Sequence, residues 1–183
     1  MKAKQLVGTR DLAGTGLMAA LIVLCAWLTI PTVVPFTMQT FAIFLAVGLL
    51  GGKLGSLSVG VYLLLGAVGL PVFSGFRGGA GALVGVTGGY LLGFLLIALV
   101  MWLGEHLWGD SMVVFILSAI VGLAVCYAFG TAWYLLLYTR NTGPVSLWVV
   151  LAQCVFPFLI PDALKLALAV ALRQRLRRVV RAG

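Results

Sequence analysis

The chain is organised around one stretch, which reads PFLIPDALK at residues 157–165, inside a long apolar run near the C-terminus. Asp162 and Lys165 are opposite charges three residues apart, so on a helix they share one face. Pro157 and Pro161 predict that a helix starts here, with Pro161 in its first turn. Ionisable residues at membrane depth are costly and by default mark a functional site. The pair alone fits a structural ion pair between two helices equally well.

The composition of the 183-residue chain is that of an integral membrane protein. Charged residues make up 9% and hydrophobic residues 63% of the sequence, whereas soluble domains carry about 25% charged residues. Strict alternation of apolar and polar residues is missing, which favours a helical bundle over a transmembrane barrel. The 24 glycines suit helices that pack closely. We therefore predict a single all-α membrane domain over residues 1–183.

The apolar runs predict six transmembrane helices, since a crossing helix needs roughly 20 apolar residues. The predicted spans are residues 12–30, 36–50, 56–70, 81–103, 111–138 and 160–179. Residues 146–156 are apolar but too short to cross before Pro157, so we predict a partly inserted or surface segment there. Short connections are expected at residues 32–37, as a tight turn at residues 51–55, and as a polar loop at residues 104–110.

The distribution of positive charge predicts the orientation of these helices. The net charge is +8, from 12 Lys and Arg against 4 Asp and Glu. With six crossings, Arg77 and Arg140 lie on one side, Lys165 lies within a span, and the other nine share the side of both termini. Those nine are Lys2, Lys4, Arg10, Lys53, Arg173, Arg175, Arg177, Arg178 and Arg181. The positive-inside rule makes their side cytoplasmic, and we expect the C-terminal arginines to snorkel to the headgroups.

Several other functions are disfavoured by the sequence. Topology explains the basic charge, so we expect a lipid bilayer around the protein and no nucleic acid bound to it. Residues 51–55 read GGKLG, which lacks the glycine spacing and the Ser or Thr of a phosphate loop. The three cysteines lie in apolar runs without metal spacing, and His106 is the sole histidine, so we expect neither a metal nor a cofactor. Asp162 is the only acidic residue within a predicted span, which argues against catalytic residues and an intramembrane enzyme.

The predicted topology brings four polar or glycine-rich stretches together on the outer side. They are the start of the second span, the connection at residues 71–80, and the starts of the fourth and sixth spans. The candidate substrate-binding residues in them are Gln39, Thr87, Gly88, Tyr90, Asp162 and Lys165. A few placed polar groups in an apolar pocket are the usual form of a small-molecule site. Gly88 and Gly89 would let either a ligand or a neighbouring backbone come close.

Small residues form a candidate packing surface near the start of the first helix. Gly16 and Ala20 are four residues apart, as are Thr15 and Ala19. This spacing favours close approach of another helix. That helix could belong equally well to the same chain or to a partner protein.

Three motifs, in this order, resemble those of the BioY family of biotin transporters. They read PFTMQ at residues 35–39, GVTGGY at residues 85–90 and PFLIPDALK at residues 157–165, and the resemblance covers nearly the whole chain. The family usually has proline where Val86 stands, and often has a glycine between the proline and the aspartate, where Pro161 directly precedes Asp162. Neither difference removes a polar side chain. The first-helix Ala-x-x-x-Ala of related proteins is matched here by Gly16 and Ala20.

The resemblance implies the fold and role of a substrate-capture (S) component of an energy-coupling factor (ECF) transporter. It implies high-affinity binding of biotin from the outer side and residence in the cytoplasmic membrane. It also implies a transmembrane coupling subunit and ATPase subunits as partners, the former packed against Gly16, Ala19 and Ala20. Biotin is then the transported ligand rather than a cofactor. The alternatives are an S component for another vitamin and a membrane assembly subunit without a ligand.

Overall fold

The computed structural model describes residues 8–182, with side chains described for residues 8–176. Lys2 and Lys4 lie outside the described residues. The side chains of Arg177, Arg178 and Arg181 lie outside the described part as well, so the predicted roles of these five cations stay predictions.

Within residues 8–182, six helices of 12 or more residues form the bundle. They are α1 (Thr9–Trp27), α2 (Gln39–Leu50), α3 (Gly52–Ala67), α5 (Gly88–Trp108), α6 (Met112–Asn141) and α8 (Phe156–Ala182). Two shorter helices precede α5 and α8, namely α4 (Ala80–Val84) and α7 (Leu147–Cys154). The predicted all-α bundle is confirmed, and α7 occupies the apolar segment that was predicted to be too short to cross.

Four segments of the described chain are long and apolar enough to cross a membrane: α1, α5, α6 and the combined α7–α8 segment Leu147–Leu176. With 12 and 16 residues, α2 and α3 are about 18 and 24 Å long, short of a hydrocarbon core of about 30 Å. In α2, every residue from Ala42 to Gly48 is buried. This helix therefore lies at the centre of the bundle, where it packs against α1, α3, α5 and α8.

A small β-hairpin follows α1, where the sequence predicted only a helix end and a loop. Strands β1 (Thr29–Ile30) and β2 (Phe36–Thr37) pair antiparallel. The first helix cannot continue to Ile30 as predicted, because Pro31 disfavours helical geometry at the residue before it. The hairpin is anchored to the connection between α3 and α4, since the hydroxyls of Thr29 and Ser74 are 3.0 Å apart.

The predicted fourth span is interrupted at its glycine-rich motif. Helix α4 ends at Val84 and α5 begins at Gly88, so this motif is a break between helices and not the interior of one. A Cβ atom at Gly88 would lie 1.8 Å from the carbonyl oxygen of Leu83, and one at Gly89 would lie 2.4 Å from Cβ of Trp133. These glycines therefore allow close packing within the protein, which is one of the two readings that the sequence left open.

Helix α8 begins at Phe156, several residues before the predicted start near Ile160. Pro157 occupies its first turn, where a missing N–H costs nothing. Pro161 lies inside the helix, so its prediction as a first-turn residue was wrong. Because proline has no backbone N–H, the helical hydrogen bond from residue 161 to the carbonyl oxygen of residue 157 is missing. This gap lies in the turn that precedes Asp162.

Two predicted connections are shorter than expected. Gly51 alone separates α2 from α3, so most of the predicted turn at residues 51–55 is helical. Glu105 and His106 belong to the end of α5, which stops at Gly109, where the positive φ of +80° suits glycine.

Glu105 Oε2 accepts the backbone N–H of Gly52 at 2.5 Å, and a carboxylate is favourable at a helix start. The predicted loop residue is thus a cap for α3.

Candidate functional site

Asp162 lies at the meeting point of three helices and is only 2% exposed. Its Oδ1 accepts hydrogen bonds from Oγ1 of Thr40 on α2 and from Nζ of Lys165, each at 2.8 Å. Its Oδ2 accepts the hydroxyl of Tyr127 on α6 at 2.5 Å. Burying a carboxylate is costly unless it is paired and hydrogen-bonded. Three donors satisfy it here, which fixes its position relative to α2 and α6.

Lys165 shares the face of Asp162, as the three-residue spacing predicted, and is also buried. Its Nζ lies 4.3 Å from the centroid of the Phe36 ring, within the range of a cation–π contact. The Phe36 ring in turn stacks on Phe158 with a centroid distance of 5.9 Å. The β-hairpin thereby packs an aromatic side chain over the ion pair.

Gln39 is held by hydrogen bonds on both ends of its amide and is 2% exposed. Its Oε1 accepts the hydroxyl of Thr37 at 2.8 Å, and its Nε2 donates to the hydroxyl oxygen of Tyr62 at 2.6 Å. Tyr62 is fully buried on α3. The amide orientation is therefore set by the protein before any ligand arrives.

Tyr90 is buried near the start of α5, and its hydroxyl lies 3.1 Å from Oγ1 of Thr131 on α6. The ring rests against Gly130, where an added Cβ would come within 2.2 Å of it. Thr87 is half-buried just before α5. Both residues line the space beside Gln39.

Two adjoining cavities of about 40 Å³ each lie between these residues. We name them the Gln39 cavity and the Asp162 cavity. The polar side chains of the first are Gln39, Ser74, Arg77, Thr87 and Tyr90. Those of the second are Thr37, Thr40, Tyr90, Tyr127, Asp162 and Lys165. Val34, Pro35, Tyr90 and Phe94 line both cavities, so the two form one divided pocket with polar groups at each end.

Five of the six predicted substrate-binding residues line this pocket, namely Gln39, Thr87, Tyr90, Asp162 and Lys165. Gly88 lines neither cavity, and a Cβ atom there would lie against the carbonyl oxygen of Leu83.

Sequence reasoning missed five polar residues of the pocket, namely Thr37, Thr40, Ser74, Arg77 and Tyr127. Thr40 follows Gln39 directly, and Arg77 is the lone charge of its loop, so both had a local signal. Tyr127 had none, because it lies in the middle of a long apolar helix. Its position beside Asp162 depends entirely on how α6 packs against α8.

The small-residue surface of α1 is divided between two faces. Thr15 and Ala19 are buried, Ala19 to 2% exposure, whereas Gly16 and Ala20 are exposed. A Cβ at Gly16 would meet nothing within 4 Å. Ala19 therefore packs inside this chain, and only Gly16 and Ala20 present a smooth surface outward.

The site offers hydrogen-bonding and charged groups to an organic ligand rather than a metal centre. Among the described residues, no three His, Cys, Asp or Glu side chains lie close enough together to hold a metal ion. Cys25, Cys126 and Cys154 are buried and free. The donors and acceptors at Asp162, Lys165 and Gln39 are instead those that recognise polar groups on a small molecule.

Comparison with known proteins identifies the family. A sequence profile of the BioY family matches residues 1–182. The chain belongs to the BioY family. It is 41% identical over 171 residues to the biotin transporter BioY of Thermotoga maritima, covering 93% of this chain and 97% of that protein. It is 38% identical to the probable biotin transporter BioY of Pyrococcus horikoshii, over 79% and 81% of the two chains.

The fold of this BioY family chain matches a solved relative as well. A crystal structure of the S-component for biotin from an ECF-type ABC transporter superposes with a TM-score of 0.79 at 29% identity, covering 97% of this chain and 95% of that one. The family resemblance inferred from three short motifs is thus confirmed over the length of the chain.

Proposed function

We propose that this chain binds biotin in the divided pocket and serves its uptake as the S component of an ECF-type transporter. The names of its relatives and its structural match support this proposal. The observation that carries it is Asp162, a buried carboxylate that lines an apolar pocket and is positioned by donors from α2, α6 and α8. The role is binding and transport without catalysis.

The Asp162 cavity suits the ureido ring of biotin. That ring carries two N–H donors and one carbonyl acceptor. Asp162 is an acceptor for the N–H groups, and Lys165 is a donor for the carbonyl oxygen. A hydrogen bond to a charged group contributes roughly 1.5–3 kcal/mol. Phe94 and Tyr90, which line both cavities, provide apolar surface for the sulfur-containing ring.

The Gln39 cavity suits the carboxylate tail. Arg77 lines it and is exposed, with its Nε donating to the carbonyl oxygen of Ser74 at 3.1 Å. Lys165 already neutralises Asp162, so Arg77 is the cation more open to a second anion. A guanidinium has further N–H donors beyond Nε and binds carboxylates well.

Biotin binding requires the pocket to widen. Each cavity holds about 40 Å³, whereas small-molecule pockets are usually about 300–1,000 Å³. Val34 and Pro35 line both cavities and belong to the connection between β1 and β2. We propose that this connection moves away from Tyr90 and Phe94 when biotin enters.

The protein is a membrane protein, and we place it in the cytoplasmic membrane with both termini inside. The pocket end of the described bundle carries Arg77 and Arg140. The opposite end carries Arg10, Lys53, Arg173 and Arg175. This bias, together with the basic residues near the chain ends, supports an outward-facing pocket by the positive-inside rule.

The partners in this proposal are a transmembrane coupling subunit and ATPase subunits, which supply energy because the chain has no ATP-binding motif. Gly16 and Ala20 form an exposed surface of α1 that faces away from the bundle. This surface is the proposed contact with the coupling subunit. Small side chains there permit close helix approach within a membrane.

Thermal unfolding of the detergent-solubilised protein tests biotin binding directly. A ligand at a hundred times its Kd stabilises the folded state by about 2.7 kcal/mol, so biotin should raise the unfolding temperature in a dose-dependent way. A panel of other water-soluble vitamins serves as control. Stabilisation by another vitamin instead of biotin would point to a different S component, and no stabilisation by any of them to an assembly subunit.

A further inference from the structure

Arg173 is buried at the end of the bundle opposite the pocket, with 3% exposure. Its Nε donates to the carbonyl oxygen of Gly48 at 3.2 Å, and its Nη1 lies 3.5 Å from Sδ of Met112. Its Nη2 pairs with Asp110, and its guanidinium carbon lies 4.2 Å from the centroid of the Phe115 ring. The prediction that this arginine snorkels to the headgroups was wrong, because acceptors inside the bundle bind it.

The contacts of Arg173 join the same three helices as the contacts of Asp162. On α2, Asp162 binds Thr40 near the start, and Arg173 binds a carbonyl near the end. On α6, Asp162 binds Tyr127, and Arg173 lies over Phe115, near the start of that helix. The two residues are eleven positions apart on α8, or about 16 Å along its axis. Helix α8 is therefore attached to α2 and α6 at two heights.

A glycine on α2, Gly48, leaves space for the side chain of Arg173 beside the Phe115 ring. A Cβ atom at Gly48 would lie 3.1 Å from Cδ of Arg173 and 3.2 Å from the ring of Phe115. Glycine at this position lets the guanidinium lie between the ring and the backbone of α2. The attachment is thus a packed contact of defined geometry.

We infer that Arg173 is a positioning residue for the Asp162 cavity. It holds α8 at a fixed height and rotation against α2 and α6, so that Asp162 stays within hydrogen-bond distance of Thr40 and Tyr127. Hydrogen bonds weaken steeply when distance or angle departs from the optimum, so a small shift of α8 disorders the carboxylate. The inference rests on the proposed function only in taking biotin as the ligand.

The first test compares Arg173→Met with Arg175→Met, using biotin affinity measured by calorimetry in detergent. Arg175 is exposed, two residues further along the same helix. Arg173→Met should weaken biotin binding by about tenfold (about 1.4 kcal/mol), the size of effect expected from weakening one hydrogen bond to the Asp162 carboxylate. Arg175→Met should bind biotin with the same affinity as the parent protein. Arg173→Lys keeps a cation beside Asp110, so its biotin affinity should lie between that of the parent and that of Arg173→Met.

A second variant separates positioning from simple destabilisation. Arg173→Met places an apolar side chain beside Asp110, whose side chain is 27% exposed, and Asp110→Asn removes the carboxylate charge there. The double variant Asp110→Asn, Arg173→Met should therefore regain part of the lost unfolding temperature and still bind biotin weakly. Parent-like affinity in this double variant would overturn the inference.

A double-mutant cycle tests whether Arg173 acts through the carboxylate site. Thr40→Val removes one donor to Asp162, so part of the effect of Arg173→Met should disappear in that background. Fully additive losses would contradict a positioning role, because independent sites add. If the parent itself does not bind biotin, the proposed function fails. If the parent binds and Arg173→Met binds equally well, only this inference fails.

Discussion

The hydroxyl of Tyr127 donates to Oδ2 of Asp162 across 2.5 Å and so joins the middle of α6 to the first turns of α8. Tyr127 also lines the Asp162 cavity. Thr40 and Lys165 both donate to the other oxygen, Oδ1. Tyr127 thus donates to the oxygen that Thr40 and Lys165 leave open, and the geometry of the proposed ureido site depends on it.

Tyr127→Phe should destabilise the protein and weaken biotin binding. A buried acceptor left without its donor costs about 1–3 kcal/mol, and the change removes a single oxygen atom while keeping the ring. Tyr138→Phe is the matched control, because Tyr138 lies on the same helix and its ring stacks on Tyr134. Thermal unfolding and biotin calorimetry measure the two effects. Equal values for both variants would refute this role of Tyr127.

Asp162→Asn and Lys165→Ala should each weaken biotin binding strongly while the protein stays folded. Loss of one charge-assisted hydrogen bond of about 1.5–3 kcal/mol corresponds to roughly 10- to 150-fold in Kd. Leu164→Ala is the control, because Leu164 lies between them on α8 with 67% exposure. Size-exclusion profiles report folding. Parent-like biotin affinity in both charge variants would show that the ion pair is structural only.

Arg77→Gln tests the proposed orientation of biotin in the pocket. If Arg77 binds the carboxylate tail, the variant should lose affinity for biotin, whereas its affinity for biotin amide, which lacks the negative charge, should match that of the parent. Competition binding with the two ligands measures the difference. Equal losses for both ligands would place the tail elsewhere.

Gly66→Ala should destabilise the wall of the Gln39 cavity. A Cβ at Gly66 would lie 2.0 Å from the ring of Phe73, which lines that cavity. Overpacking of this kind costs about 1–3 kcal/mol. Gly60→Ala on the same helix meets nothing within 4 Å and should be neutral or stabilising by up to about 1 kcal/mol. Unfolding temperatures in detergent compare the two, and a loss at Gly60 equal to that at Gly66 would contradict the packing argument.

Bulky substitutions on α1 should separate partner binding from ligand binding. The double variant Gly16→Leu, Ala20→Leu changes only exposed positions, so it should keep biotin binding and lose assembly with the coupling subunit. Ala19→Leu adds volume at a buried position and should lower the unfolding temperature instead. Co-purification of the coupling subunit and calorimetry with biotin measure the outcomes. Normal assembly of the double variant would exclude this face as the contact.

Local sequence information was sufficient for the class of fold and for part of the site. Hydropathy is a sum over neighbouring residues, so the runs that form the helices of a membrane bundle can be found without a structure. The three-residue spacing of Asp162 and Lys165 was enough to place them on one face. Helix ends were harder to predict, because Pro161 is compatible with either a helix start or a helix interior, and the neighbouring packing selects the second.

The tertiary structure alone decided which residues complete the site and how the bundle is held. Thr40 binds Asp162 across 122 positions of sequence, and Gly48 binds Arg173 across 125. No local periodicity encodes such contacts, because they depend on the relative height and rotation of whole helices. The same packing buried Arg173, directed Ala19 inward while Gly16 stayed outside, and divided the pocket at Tyr90. The charged residues Asp162 and Arg173 can thus be found in the sequence, but their hydrogen-bond partners are determined by how α2, α6 and α8 pack.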